Sequence, residues 1–287
     1  MSYVIDFRIR PPYKNFLNSG IYQCWEPESA ETIAPIQWFR KAVPSQIQGS
    51  MSEYIKEMDS AGIVKSVIMG RRTGDAALGA GQIDNAEIHE LMEAYPGRFE
   101  GFCGIDPTEK GCLDDIRRCR DWGFKGVSVE PGWLSPNMYA DDPRITPVYD
   151  VANELGMILN LTISGFVGPD ISYCAPVNIQ HVATAYPNMK IVITHAAWPN
   201  IDQMLGVCLT SPNLYLAPDC YFYVRNMPFS DQLVRAGNSW MRHRIVFNSS
   251  YPVCGLPQAV ESWSNMGLDD DALCRQLYWN AKGLLGL

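Results

Sequence analysis

A single (β/α)8 barrel, the TIM-barrel form of the α/β class, with a loop or cap inserted after its first strand, is the fold that the sequence predicts. Apolar, β-branched runs alternate with helical patterns from one end of the chain to the other, eight of each. The runs are apolar on both faces, as strands of an all-parallel sheet covered by helices must be. The chain has 287 residues, and one such barrel needs roughly 250. No linker or shorter repeat divides it, so residues 1–287 are expected to form one domain.

The first strand is Val4-Ile5-Asp6-Phe7-Arg8-Ile9-Arg10, stopped by Pro11-Pro12, which cannot continue a ladder. A period of two puts Arg8 and Arg10 on one side and Phe7 and Ile9 on the other, with the arginines at the C-terminal end. Residues 13–50, rich in Pro, aromatic and polar types, read as the cap. A helix over 52–61 follows, with Met51, Tyr54, Ile55 and Met58 on one side and Gly62 as its stop. The second strand, 63–70, leads to Arg71 and Arg72, of which one is expected to face the barrel mouth and the other solvent. The glycine-rich stretch 73–81 lacks the lysine and Ser/Thr ending of a phosphate loop and reads as a mobile loop.

Further along, strands are expected over 99–105, 126–131, 157–162, 190–195, 214–219 and 244–252. The helices between and after them fall at 85–94, 110–122, 146–155, 176–185, 201–209, 229–236 and 269–285. At the strand ends stand Glu130, Thr162 with Ser164, His195, Asp219, and Ser250 with Tyr251. Trp133, Tyr221 and Tyr223 lie in the adjoining loops.

Composition narrows the function. The chain is 47% hydrophobic and 19% charged, with a formal net charge of −8. An acidic balance argues against nucleic acid as the main partner, since phosphate binding wants a basic face. It leaves room for a small anionic substrate, because a local arginine cluster can invert the local field. The nine cysteines are scattered, with no CxxC pair, and no leader pattern opens the chain. These features predict a reduced, cytoplasmic protein. No apolar run approaches the ~20 residues of a membrane span.

With these landmarks the chain resembles the amidohydrolase superfamily, in the branch of 2-amino-3-carboxymuconate-semialdehyde decarboxylase and 2-pyrone-4,6-dicarboxylate lactonase. The family's first strand ends Asp-x-His-x-His where this chain has Asp6-Phe7-Arg8-Ile9-Arg10. Its sixth ends His-Gly-Gly against His195-Ala196-Ala197. Its eighth reads Gly-Ser-Asp-Tyr-Pro against Asn248-Ser249-Ser250-Tyr251-Pro252. The closing Asn-Ala-x-x-Leu-Leu matches Asn280-Ala281-Lys282-Gly283-Leu284-Leu285. The resemblance implies a barrel enzyme with its site at the strand C-termini, and homo-oligomeric assembly. It also implies a metal held by the His-x-His pair, a fifth-strand histidine and the eighth-strand aspartate. Those places read Arg8, Arg10, Thr162 and Ser250 here. Arginine has no lone pair to give, and neutral hydroxyls are poor ligands for a transition metal. The expected cofactor set is therefore empty. The other reading is a relocated metal on Glu130, His195 and Asp219.

The chemistry that remains is acid–base and electrostatic. His195 suits a general acid or base, because its pKa lies near neutrality. Asp219 is the leading replacement for the lost aspartate base. Glu130 is either a general base or the ion-pair partner of an arginine. Arg8, Arg10 and Arg71 offer planar paired donors for a carboxylate and for a developing oxyanion. Thr162, Ser164, Ser250 and Tyr251 are expected to line the substrate. The function this predicts is metal-independent hydrolysis of a lactone-like or C–C bond, or decarboxylation, of a small carboxylated substrate. The alternative is a catalytically silent barrel that binds an anionic metabolite or a protein partner.

Overall fold

Seven parallel strands follow one another around the sheet in chain order. The computed structural model describes residues 3–23, 42–73, 81–224 and 226–287. The strands are β1 (Val4–Ile9), β2 (Ile63–Met69), β3 (Phe99–Gly104), β4 (Gly126–Val129), β5 (Ile158–Thr162), β6 (Ile191–Thr194) and β7 (Leu214–Ala217). Each lies within the stretch its apolar run predicts. Most of the glycine-rich loop, 74–80, and residues 24–41 of the cap fall outside the described residues.

The eighth stretch departs from expectation. It closes the barrel, but through two isolated bridges, Leu216 to Ile245 and Ile9 to Tyr251, in place of a continuous ladder. Four backbone hydrogen bonds tie it to the flanking strands: Val246 N to Leu216 O, Leu216 N to Arg244 O, Phe7 N to Phe247 O and Arg10 N to Tyr251 O. A regular ladder cannot run on here because Ser250 has a left-handed backbone, with φ of 58°.

The first strand also differs from strict alternation. Asp6 pairs with Ser66 and Ile9 with Ile68, so three steps on β1 face two on β2. Phe7, two residues after Ile5, joins it with Val67, Phe102 and Val192 in the apolar cluster that fills the barrel interior, whereas the β-bulge turns Ile9 into the layer packed under the helices. The expectation that Phe7 and Ile9 share a side is thus overturned. Burying Phe7 stabilises the barrel interior by about 1.5–3 kcal/mol. Bulges at barrel rims re-aim the side chains beyond them, and here those are Arg8 and Arg10.

The helices α1 (Pro44–Gln48), α2 (Met51–Ser60), α3 (Asn85–Ala94), α4 (Cys112–Asp121), α5 (Thr146–Glu154), α6 (Pro176–Ala185) and α7 (Ile201–Thr210) cover the sheet. They are followed by α8 (Cys220–Tyr223), α9 (Ser230–Gly237) and α10 (Leu256–Ser264). The sequence pattern gives no sign of α8 or α10, each of which is short or begins with a Gly-Leu-Pro step. The final helix has a π turn, Arg275–Trp279, between α11 (Asp270–Cys274) and α12 (Asn280–Leu285). Ala281, Leu284 and Leu285 pack onto the interior cluster, so this helix closes the N-terminal end of the barrel. Nothing among the described helices is long and apolar enough to cross a membrane.

Candidate active site

Above the apolar interior the barrel turns polar. Ser128, Asn160 and Thr194 form one buried chain: Asn160 donates to Ser128 Oγ at 3.2 Å, and Thr194 donates to Asn160 Oδ1 at 2.6 Å. Beyond that layer, at the C-terminal ends of the strands, lie the charged groups.

Two networks meet there. In the first, Glu130 sits between two guanidiniums. Arg10 Nη2 donates to its Oε1 at 2.8 Å, and Arg71 Nε donates to its Oε2 at 2.7 Å. All three are at most 2% exposed. Burial alone would raise the Glu130 pKa, but the Arg71 and Arg10 charges overrule it and hold the carboxyl at about 2. Glu130 is thus an ionised clamp on the arginines, which is the second of its two sequence-level roles. Arg71 reaches this position because Gly70 and Gly104 let the ends of β2 and β3 close up. A Cβ on Gly104 would stand 2.3 Å from Arg71 N. The Arg71 guanidinium also lies 4.8 Å from the Trp133 ring centre. Arg72 points outward, as one of the pair must, towards Asp84 and Glu109.

In the second network Asp219 joins Arg8 and His195. Arg8 Nη1 donates to Asp219 Oδ2 at 3.4 Å and to Ser250 Oγ. His195 Nδ1 lies 3.0 Å from Asp219 Oδ1 and 2.8 Å from Oδ2. The carboxylate accepts, so Nδ1 carries the proton and Nε2 keeps its lone pair. Nε2 makes no hydrogen bond among the described residues. Burial lowers the His195 pKa; Asp219 pulls it up, and Arg8 and Arg10 push it down again. The ring is therefore neutral at pH 7. Its ring and that of Tyr221 meet edge to face with their centres 4.8 Å apart, and Tyr221 Oη lies 3.1 Å from Ser164 Oγ.

Three members of this network have left-handed backbones: His195 with φ of 70°, Asp219 with 46° and Ser250 with 58°. Each such residue costs about 1–3 kcal/mol and is held by its surroundings. For Asp219 the holding group is Asn248, whose Oδ1 accepts from Asp219 N at 3.0 Å while its Nδ2 donates to Ala217 O. A second support is Asp6, whose Oδ1 accepts from Arg8 N and from Ser249 N. Both stand inside the landmark motifs of the sequence. Their roles are invisible there, because each acts across the seam that closes the barrel.

The structure thus brings Arg8, Arg10, Arg71, Glu130, His195, Asp219 and Ser250 together. Thr162 lies at the same level, accepting weakly from Asn160 at 3.5 Å, and Ser164 joins through Tyr221. Tyr251 faces away from the charged groups. Its Oη lies 2.8 Å from Ser45 Oγ, and its ring stands edge-on to Tyr54. Tyr251 therefore ties the closing stretch to the cap helix α1. Tyr22, which donates to Arg10 O at 2.7 Å, ties the cap to β1.

The donor set does not fit a divalent metal. At the four places the resembled family uses, the side chains are two buried guanidiniums and two hydroxyls. The relocated set fails as well, since Glu130 is held by arginines while His195 and Asp219 bind each other. Among the described residues no three His, Cys, Asp or Glu side chains converge.

Comparison with known proteins agrees with this architecture. Residues 39–287 match the family described as Amidohydrolase. A solved structure of an uncharacterized TIM-barrel protein from Bordetella bronchiseptica is 32% identical. The match covers 99% of this chain and 98% of that one, with a TM-score of 0.89. A dihydroxybenzoic acid decarboxylase from a Polaromonas species, solved with bound manganese and 2-nitroresorcinol, is 15% identical, with a TM-score of 0.64 over 100% of this chain and 98% of that one. A protein described as a 2-pyrone-4,6-dicarboxylic acid hydrolase from Acinetobacter baumannii, solved with citric acid bound, is 13% identical, with a TM-score of 0.64 over 100% and 99%. No curated protein matches the sequence.

Proposed function

The chain belongs to the amidohydrolase family, and from that premise and its buried charges we propose that it is a metal-independent hydrolase of small carboxylated substrates. The observation that carries this reading is the Asp219–His195 pair set beside Arg8, with fixed guanidiniums where the family places its metal ligands. Arg10 and Arg71 anchor a substrate carboxylate, held in place by Glu130. Three guanidiniums face two carboxylates in the two networks, so the mouth keeps one positive charge for an anion, in a chain of net charge −8. His195, neutral and oriented by Asp219, accepts a proton from water through Nε2. Arg8 donates to the oxygen on which negative charge develops, and Ser250 holds Arg8 for that task. Lactone-like esters fit this set best, because their hydrolysis needs one base and one oxyanion donor.

Decarboxylation is the second reading, favoured by the activity of the Polaromonas relative. A third is a silent barrel that binds a carboxylate, favoured by the pairing of both carboxylates with arginines. The deciding experiment assays chelator-treated protein on carboxylated lactones and hydroxybenzoates, following ring opening and carbon dioxide release. Lactone turnover that survives chelation and gains nothing from added manganese or zinc is the expected result. Turnover that requires a divalent cation refutes the reading, and binding without turnover leaves the silent barrel.

A further inference from the structure

The geometry points to Asp6 as a positioning residue that aims the Arg8 guanidinium into the barrel mouth by pinning the β1 bulge to the closing stretch. Asp6 is fully buried. Its Oδ1 accepts two backbone amides, from Arg8 at 3.2 Å and from Ser249 at 2.9 Å. The Arg8 amide lies within the bulge, whose extra residue frees one donor from the β1–β2 ladder. The Ser249 amide belongs to a stretch that meets β1 through an isolated bridge and two backbone hydrogen bonds, neither of which uses that amide. One carboxyl oxygen therefore satisfies two donors that the irregular pairing leaves over, and it fixes Arg8 relative to Ser250, whose Oγ accepts from the guanidinium.

The surroundings of Asp6 fit positioning better than proton transfer. Among the described residues Oδ2 is buried without a hydrogen-bond partner. The polar groups around it are Arg8, Ser249 and the hydroxyls of Tyr54 and Tyr223, and none of them is His195. Arg8 Nε is likewise buried and has no partner among the described residues, so the direction of the guanidinium is set by its Nη1 bonds at one end and its pinned backbone at the other. The consequence for turnover rests on the hydrolase reading, but the aiming of Arg8 can be tested without substrate.

The test compares Asp6→Asn with Asp6→Ala by side-chain Nε–H exchange in nitrogen-15 spectra, with Arg8→Lys used to assign the Arg8 signal. Asn keeps the Oδ1 acceptor and Ala removes it; both are neutral, so charge does not separate them. Arg71 Nε–H, bonded to Glu130, reports on the rest of the mouth. Asp6→Ala is expected to speed Arg8 Nε–H exchange by roughly tenfold or more, as loss of two buried bonds predicts. Asp6→Asn should leave it near wild type, and Arg71 should stay protected in both. Equal Arg8 exchange in the two variants overturns the assignment. So does Arg8 loosening in Asp6→Asn, which would make charge the cause. If Asp6→Ala does not fold, Asp6→Ser, whose hydroxyl is too short to reach both amides, gives the same comparison. Failure of every lactone assay would leave this result untouched, so the two readings fail separately.

Discussion

Replacing Asp6 by Asn should make the protein more stable at neutral pH, and more so as the pH rises. Burial raises the Asp6 carboxyl from its ordinary 3.8 to about 7, against the pull of the Ser249 hydroxyl, the Ser249 and Arg8 amides and the Arg8 charge. Between those two values the folded state holds a proton that the unfolded chain has released, so stability falls as pH rises through this window. Each pH unit is worth about 1.4 kcal/mol, and the whole window about 4 kcal/mol. Below pH 4 both states carry the proton and the cost disappears. Asn mimics the protonated carboxyl, keeping the Oδ1 acceptor and removing the charge. Urea unfolding of both proteins from pH 4 to pH 8 should therefore give curves that meet near pH 4 and separate to about 4 kcal/mol at pH 8. Equal stabilities at pH 8, or a gap that narrows with rising pH, would refute the reasoning. That result would mean Asp6 is paired or hydrated enough to ionise normally.

Four more outcomes follow from the two networks. Glu130→Gln leaves Arg10 and Arg71 without their shared counter-charge and should cost about 3–5 kcal/mol in urea unfolding at pH 7. A loss below 1 kcal/mol would show the guanidiniums to be solvated. Arg10→Met should weaken the KM or Kd of a turned-over or bound carboxylate by about 2–5 kcal/mol; an unchanged constant removes its anchoring role. His195→Ala should abolish lactone turnover with an unaltered circular dichroism spectrum. In the wild type the pH–rate profile should fall only below the ordinary imidazole range, because burial lowers the His195 pKa. A midpoint at or above 6.5 would sink the neutral-base role.

The barrel was legible in the sequence because its signal is local. Each apolar run and each helical pattern is read within a dozen residues, and seven strands appear where the runs stand. That Arg8, Arg10, Glu130, His195, Asp219 and Ser250 stand at one end of the barrel follows from where the runs end, since strand ends in a parallel barrel converge; that Arg8 turns inward there does not. What stays hidden depends on single insertions and on contacts across the seam. One extra residue in β1 reverses the sides on which Arg8 and Ile9 lie relative to Ile5 and Phe7, and no periodicity of two can reveal it. Tyr251 follows Ser250 directly, yet the left-handed turn at Ser250 sends its side chain to the cap helix and Ser45. The irregular seam between β1 and the closing stretch is thus where sequence reading fails, and the same irregularity holds Arg8. A continuous eight-stranded ladder would occupy the Arg8 and Ser249 amides that Asp6 now takes, and strict alternation from Ile5 would turn Arg8 out of the barrel. An arginine can sit at this mouth because the strand pairing yields there.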